Sequence, residues 1–338
     1  MKLDLFDYNL PKEKIAQHPP KNRTDSKLMV LDKKTETITH KSFVDILEEL
    51  TENDCLVLNE TKVIPARLIG KKEETGAVIE LLLLENKEDL WQALVKPAKR
   101  IKEGHVIVFG EGLLKAECIR KKEDGIAVFK MIYDGIFLEI LDNLGQMPLP
   151  PYIYEKLEEK NRYQTVYAKN VGSAAAPTAG LHFTNDLLEK IKKKNIEIIK
   201  ITLHVGLDTF RPISVEDVLE HKMHSEKYYI SEEAARELNE AVKNKKRIVA
   251  VGTTTVRTLE ANYDGKFTSG FNDTNLFIYP GYKYKIVNAI LTNFHLPKSS
   301  LLLLVSAFAN REFILKAYKE AINKGYRFFS FGDAMLIK

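Results

Sequence analysis

The stretch YQTVYAKNVGSAAAPTAGLHFTNDLLEKIKKKNIEIIKITLHVGLDTFR, residues 163–211, decides how the rest of the chain is read. Leu187, Leu188 and Ile191 fall at helical spacing, and Thr184, Asn185 or Asp186 supplies the oxygen that caps the first amides of a helix running to Lys194. Residues 196–205 are rich in β-branched side chains and stop at Gly206, as a strand does. The order is therefore loop, helix, strand, loop. His182 sits in the first loop and His204 at the end of the strand, so both fall outside one sheet edge, where α/β proteins bind ligands.

On either side the α/β pattern continues. Residues 28–31 and 55–58 are short apolar strands, and residues 42–50 form a helix with Phe43, Ile46, Leu47 and Leu50 on one face. Ser231 caps a helix to Asn244, a strand covers 247–251, and the next helix begins near Thr254 or Thr255. Ser299 or Ser300 caps an apolar helix to Ala309, an amphipathic helix follows over 311–324, and 326–331 is read as the closing strand, ended by Gly332 and Asp333. Between these halves the texture changes. ARLIGKK, AVIELLLLEN, LWQALVKP, HVIVFG, LLKAECIRK and GIAVFKMIY are short strands with turn punctuation, which predicts a small antiparallel barrel. The expected organisation is a discontinuous α/β catalytic domain, residues 1–65 and 146–338, with a β-barrel domain inserted at 66–145.

The chain has 338 residues, 44% of them hydrophobic and 29% charged, the balance of a folded globular protein. Net charge is only +4, yet lysines cluster at 33–34, 71–72, 99–102, 121–122, 192–194 and 243–247, so Lys99, Arg100 and Lys102 become candidate phosphate contacts. Trp91 is read first as core and second as a face for a base. Two cysteines, Cys55 and Cys118, in apolar settings argue against a disulfide framework and a thiolate metal site. The N-terminus does not read as a secretory signal and the longest apolar run is far too short for a bilayer span, so a cytoplasmic location without membrane contact is expected.

Polar segments at strand ends supply the candidate site. Arg23 lies in the stiff turn HPPKNRTDS; Thr253, Thr254 and Thr255 open a helix whose free amides suit an anion, and Arg257 one turn on is placed to clamp a carboxylate. VAVGTTTV is not a Walker loop, since the second Gly and the Lys are missing. His221 and His224 have a spacing that would put two imidazoles on one helical face, and with another His or Glu226 as third ligand this keeps a zinc-dependent hydrolase in view. A non-catalytic RNA-binding protein is the other alternative.

YQTVYAKNVGSAAAPTAGLHFT, TLHVGLDTF, EHKMHSE, VAVGTTTVRTLE, FIYPGYKY, TNFHLPKSSLLLLVSAF and YRFFSFGDAMLI closely resemble the S-adenosylmethionine:tRNA ribosyltransferase-isomerase family of queuosine biosynthesis. NETKVIPARLIG, WQALVKPAKR and GQMPLPPYI fit as well, and the likeness runs from Leu3 to Lys338. Asp208 stands where that pattern has Gly, Ala174 where it has Val, and Lys62 where it has Arg.

The resemblance implies a two-domain α/β protein with an inserted β-barrel. It implies transfer and isomerisation of the ribosyl part of S-adenosylmethionine onto the aminomethyl-7-deazaguanine wobble base of tRNA, giving epoxyqueuosine-tRNA, adenine and methionine. S-adenosylmethionine is then a consumed co-substrate, and no prosthetic group or metal is expected; a monomer is expected. For such chemistry His182, His204 and His295 are candidate bases for the carbon beside the sulfonium, and Asp333 or Asp208 the partner of an imidazole or of the substrate amine. Thr178 and Asn293 are candidate substrate contacts, and Phe183, Phe210 or Phe294 a face for adenine.

Overall fold

Short runs of leucine and β-branched residues become the strands of one large sheet in a computed structural model of the chain, which describes residues 1–87, 89–206 and 213–338. Asp208, Phe210 and Arg211 lie outside the described residues. The chain divides into two units, one of Met1–Lys62, Pro151–Asn170 and Ala176–Lys338, the other of Val63–Pro150 and Val171–Ala175. The expected boundaries are 65/66 and 145/146, with 171–175 in the larger part.

The larger unit begins with β1 (Lys27–Asp32), β2 (Thr37–Ser42), a helical turn continued by α1 (Ile46–Glu49), and β3 (Asp54–Asn59), after which the chain leaves along β4 (Thr61–Val63). The barrel unit supplies β5 (Arg67–Lys72), β6 (Val78–Lys87), β7 (Leu90–Lys96), β8 (Val106–Phe109), β9 (Leu114–Lys121), β10 (Ile126–Tyr133) and α2 (Phe137–Leu144). After β11 (Asn170–Ser173) the larger unit resumes with α3 (Asn185–Lys193), β12 (Glu197–Leu203), β13 (Glu226–Ile230), α4 (Glu232–Lys243), β14 (Arg247–Val251) and α5 (Thr253–Asn262). It closes with β15 (Gly270–Thr274), β16 (Ala289–Asn293), α6 (Ser300–Ala309), α7 (Arg311–Asn323) and β17 (Ala334–Ile337).

Helix starts follow the expected chemistry. Thr184 Oγ1 accepts from Leu187 N at 3.1 Å, Ser231 Oγ from Ala234 N at 3.1 Å and Ser299 Oγ from Leu302 N at 3.2 Å. The sheet order is β15-β13-β12-β3-β14-β16-β17-β1-β2. Its central strands are buried on both faces, unlike the edge strands β2 and β15: Leu56 and Leu58, Val249 and Val251, Leu28 and Val30 join Phe43, Phe183, Leu187 and Ile191 in one core. The alternate residues Cys55, Val57, Ile248 and Ala250 are buried as well, where α4 and α5 pack.

Strand direction is what positions the site. β12, β3, β14 and β16 run parallel, β17 is antiparallel to β16, and β1 is parallel to β17. The C-terminal ends of four strands and the N-terminal ends of two more therefore share one edge.

In the smaller unit six antiparallel strands close in the order β10-β7-β6-β5-β8-β9, which leaves no free edge. Leu68, Ile79, Leu81, Ala93, Ile107, Leu114, Ala116 and Phe129 fill the interior. A Cβ on Gly70 would lie 2.5 Å from the Phe109 ring, so only glycine lets that ring fill the barrel there. Trp91 packs against this core and beside Phe137, the first of its two expected roles.

Two expectations are corrected. The last strand is Ala334–Ile337, and 326–331 is not a strand: Asp333 Oδ2 accepts from Arg327 N at 2.7 Å and Asp333 N donates to Arg327 O at 2.8 Å, folding that segment into a turn. Its aromatic residues enter a ring cluster, with Phe328 at 5.0 Å from Phe294. His221 and His224 lie outside any helix, so the single face needed for the zinc reading is not formed. Among the described residues no group of three His, Cys, Asp or Glu is placed to hold a metal, and no helix is long and apolar enough to cross a membrane.

Candidate active site

Across the shared edge, the strand ends bring a row of polar residues together in strand order: His204 after β12, Asn59 on β3, Thr253 after β14, Asn293 on β16, Asp333 before β17 and Ser26 before β1. Strands lie about 4.8 Å apart, so the row from β12 to β1 spans about 24 Å. The His204 end and the Asn293 end are about 14 Å apart on the same measure. They are two clusters and not one acid–base pair.

At the Asn293 end the hydrogen bonds fix one another. Thr178 Oγ1 donates to Asn293 Oδ1 at 2.9 Å, and Asn293 Nδ2 donates to the Asp333 carbonyl at 3.3 Å. A carbonyl only accepts, so the amide cannot be flipped, and Nδ2 also donates to His182 Nε2 at 3.1 Å. His182 must then carry its proton on Nδ1, which donates to Ser26 Oγ at 2.8 Å. The ring is 2% exposed, and burial, then the Arg327 and Arg23 charges, push its pKa down to about 3. His182 is a neutral imidazole with both nitrogens engaged inside the protein.

Asp333 is expected to partner an imidazole or the substrate amine. Its carboxylate is instead taken up by backbone amides, Lys27 N at 2.9 Å and Arg327 N at 2.7 Å. Arg23 reaches the same cluster, donating to Leu181 O and Asn161 O at 3.0 Å each.

His295 is 4% exposed and equally occupied. Tyr318 Oη accepts the His295 backbone N–H at 3.1 Å and gives its own proton to Nδ1 at 3.1 Å, leaving Nε2–H to bond Thr292 Oγ1 at 3.1 Å. Burial pushes this ring also down to about 3. It reads as a structural histidine. Phe183 and Phe294 are 0% exposed, Phe183 edge-on to Phe43 and Phe294 inside the ring cluster, so neither offers adenine a face.

The β12 end differs. His204 Nδ1 lies 2.8 Å from Thr61 Oγ1, its backbone N donates to Lys227 O at 3.0 Å, and among the described residues nothing bonds Nε2. Burial, then the Lys227 charge, lowers its pKa below the ordinary value, so the imidazole is neutral near pH 7. Asn59, fully buried, joins this end to α5: its amide oxygen accepts from Leu203 N and Thr61 N at 3.0 and 3.1 Å. Its Nδ2 donates to Leu203 O at 3.0 Å and to Thr254 Oγ1 at 3.4 Å.

The N-cap of α5 is Gly252 at φ 89°, which has no side chain to cap the helix. Thr255 and Thr258 donate back to Val251 O and Thr254 O, so the first-turn amides point to the edge with the helix dipole behind them. Arg257 is not a ligand clamp. It is 3% exposed, its Nη1 pairs with Glu226 Oε2, and Nε and Nη2 donate to Leu276 O at 3.0 Å and Thr274 O at 3.3 Å. Burial by itself would raise the Glu226 carboxyl, but His224, Arg257 and Gly206 N hold it below the usual range. Gly206 N donates to Glu226 Oε1 at 3.1 Å, which pins the turn after His204. Asn59, Thr61 and Ser26 are not among the expected site residues, and Glu226, expected only as a further zinc ligand, pairs with Arg257 instead; Asn59 and Thr61 stand in NETKV, whose buried hydrogen bonds only the fold reveals.

A parallel α/β sheet with a polar row at the carboxyl ends of its central strands, joined in one chain to a closed six-stranded barrel, defines a ligand-binding α/β protein with an appended barrel. The chain belongs to the family described as queuosine biosynthesis protein, whose model matches residues 3–337. It is also similar to a solved structure, the S-adenosylmethionine tRNA ribosyltransferase from Thermotoga maritima at 2.00 Å resolution. The two are 40% identical, the match covers 99% of this chain and 100% of that one, and the TM-score is 0.56.

Proposed function

We propose that the chain is an S-adenosylmethionine:tRNA ribosyltransferase-isomerase, transferring the ribosyl part of S-adenosylmethionine to the aminomethyl-7-deazaguanine wobble base and releasing adenine and methionine. Family membership gives the pathway; the observation that carries the chemistry is His204, a neutral imidazole whose Nε2 is unengaged among the described residues, at the end of the strand that Asn59 links to the N-terminus of α5. With Nδ1–H donating to Thr61, Nε2 keeps its lone pair and takes the proton from the carbon next to the sulfonium, whose positive charge acidifies that carbon. The first-turn amides of Thr253 to Thr255 receive the methionine carboxylate. His182, Asn293 and Thr178 form a rigid hydrogen-bonded wall at the other end of the row.

Attraction for tRNA is local and not global. Residues 63–150 hold 13 Lys and Arg against 14 Asp and Glu, so the barrel is not a basic body. Lys99, Arg100 and Lys102 are exposed around one turn, with Lys121 Nζ bonded to Ala98 O at 3.3 Å nearby, and these lysines and arginine contact the RNA backbone. The test is to mix the protein with S-adenosylmethionine and tRNA carrying the deazaguanine precursor. Free adenine and a heavier tRNA are expected; no adenine under saturating substrate would overturn the reading. His204→Ala, which leaves the Lys227 backbone bond in place, is expected to slow adenine release by about 10²- to 10⁴-fold. Near-normal release would remove His204 as the base.

A further inference from the structure

Arg23 and Arg162 stand out among the arginines. Arg67, Arg247, Arg257, Arg311 and Arg327 are shielded from solvent to some degree, and each has a carboxylate oxygen within 4.0 Å. Arg100, Arg120 and Arg236 are exposed, where water serves. Arg23 and Arg162 are partly buried, and among the described residues neither has a carboxylate in that range. Backbone carbonyls hold them instead: Arg23 donates to Leu181 O and Asn161 O, and Arg162 to Lys21 O at 3.1 Å and to Pro20 O.

Each guanidinium has five N–H groups, so these carbonyls leave three on each without a partner among the described residues. One of them, on Arg162 Nε, is buried with no acceptor among the described residues. Burial, then the charge of Arg162, lowers the Arg23 pKa, as expected for two like charges close together without an acid between them. Both line a cleft with Pro20, Leu181, His182, Ser330 and Phe331, whose cavity of about 10 Å³ holds one water-sized atom. His182, being neutral, supplies no negative charge there.

We propose that Arg23 and Arg162 form a phosphodiester site that takes one backbone phosphate of the RNA strand beside the target base. The inference rests on the tRNA-modifying reading above and adds a second anchor at the His182 end of the row. An oxyanion supplies what the two guanidiniums lack. The cavity admits a single oxygen, so the rest of the ligand stays outside, as a polynucleotide backbone does. The carboxylate of an amino acid fits less well, because its ammonium would sit against two cations with no acid among the described residues within 4.0 Å of either guanidinium.

The experiment measures binding of a fluorescent anticodon stem-loop RNA against salt concentration, and of S-adenosylmethionine alone by calorimetry, for wild type, Arg162→Gln, Arg23→Gln and Arg162→Lys. Each Gln variant is expected to bind RNA about tenfold more weakly, with the salt slope reduced by about 1, and to bind S-adenosylmethionine as wild type does. Arg162→Lys keeps the charge without the fork, so the slope recovers while affinity recovers in part. Weaker S-adenosylmethionine binding with an unchanged RNA slope would overturn the assignment in favour of the methionine carboxylate. Unchanged values for both, in variants with wild-type circular dichroism, would leave the arginines structural only. A wild type that binds no RNA removes the tRNA-modifying reading itself, an outcome separate from failure of the variants.

Discussion

Arg257 lies one turn inside a helix whose N-terminus faces the strand-end row, where a cation would meet a ligand carboxylate. Its partner is instead Glu226, 31 residues earlier in the chain, and the pair is almost wholly buried. Removing one member of such a pair strands the other charge, whereas removing both does not. Arg257→Ala is therefore expected to lower stability by about 3–5 kcal/mol in urea unfolding, and Glu226→Met with Arg257→Met to recover most of that loss. Because Glu226 also holds Gly206 N, Arg257→Ala further loosens the turn after His204. A stable Arg257→Ala protein with weakened S-adenosylmethionine binding would restore the clamp. The sequence could place Arg257 on its helix face but could not reveal an acid that arrives from another strand.

Elements were most legible where a local rule suffices. Thr184, Ser231 and Ser299 announce their helices because a cap bonds an amide three residues on, and the six barrel strands show through turn spacing. The stretch 326–331 misled because alternating apolar residues fit a ring cluster as well as a strand, and only the Asp333 bonds to Arg327 and Lys27 decide between them. β13 and β15 were not foreseen, since they depend on pairing with each other and with β12. At the junction of β14 and α5, Gly252 takes φ +89°, a conformation that L side chains rarely adopt, and its Cβ position is open apart from Thr254 Oγ1 at 3.5 Å and Ala179 Cβ at 3.9 Å. Space is available there, so the cost of a side chain is backbone strain. Gly252→Ala is expected to lose about 1–2 kcal/mol of stability and to weaken S-adenosylmethionine binding as the α5 amides tilt. Unchanged binding would separate this helix start from the ligand.

Over the whole molecule, two neutral histidines tie stability to pH. His182 and His295 have folded pKa values of about 3 against an ordinary value of 6.5, each lowered first by burial. The unfolded chain therefore binds protons below pH 6.5 that the folded chain refuses until about pH 3, and acid favours unfolding across that window. Stability from this source is full above about 6.5, declines as pH falls, and shows no further loss from these groups below about 3, at a rate on the order of 1 kcal/mol per pH unit for each histidine. The lowered values of His204 and His221 act in the same direction. Urea unfolding at pH 7, 6, 5 and 4 reads the slope directly. His295→Gln is chosen because His295 lies away from the proposed base and its loss removes one of the two large shifts. The variant is expected to be less stable at pH 7 yet to lose stability more slowly towards pH 4, by about one proton's worth of slope. Parallel curves for variant and wild type would mean that His295 is protonated as readily in the folded chain as in the unfolded one, and the buried Tyr318–His295–Thr292 network would not be what holds it neutral.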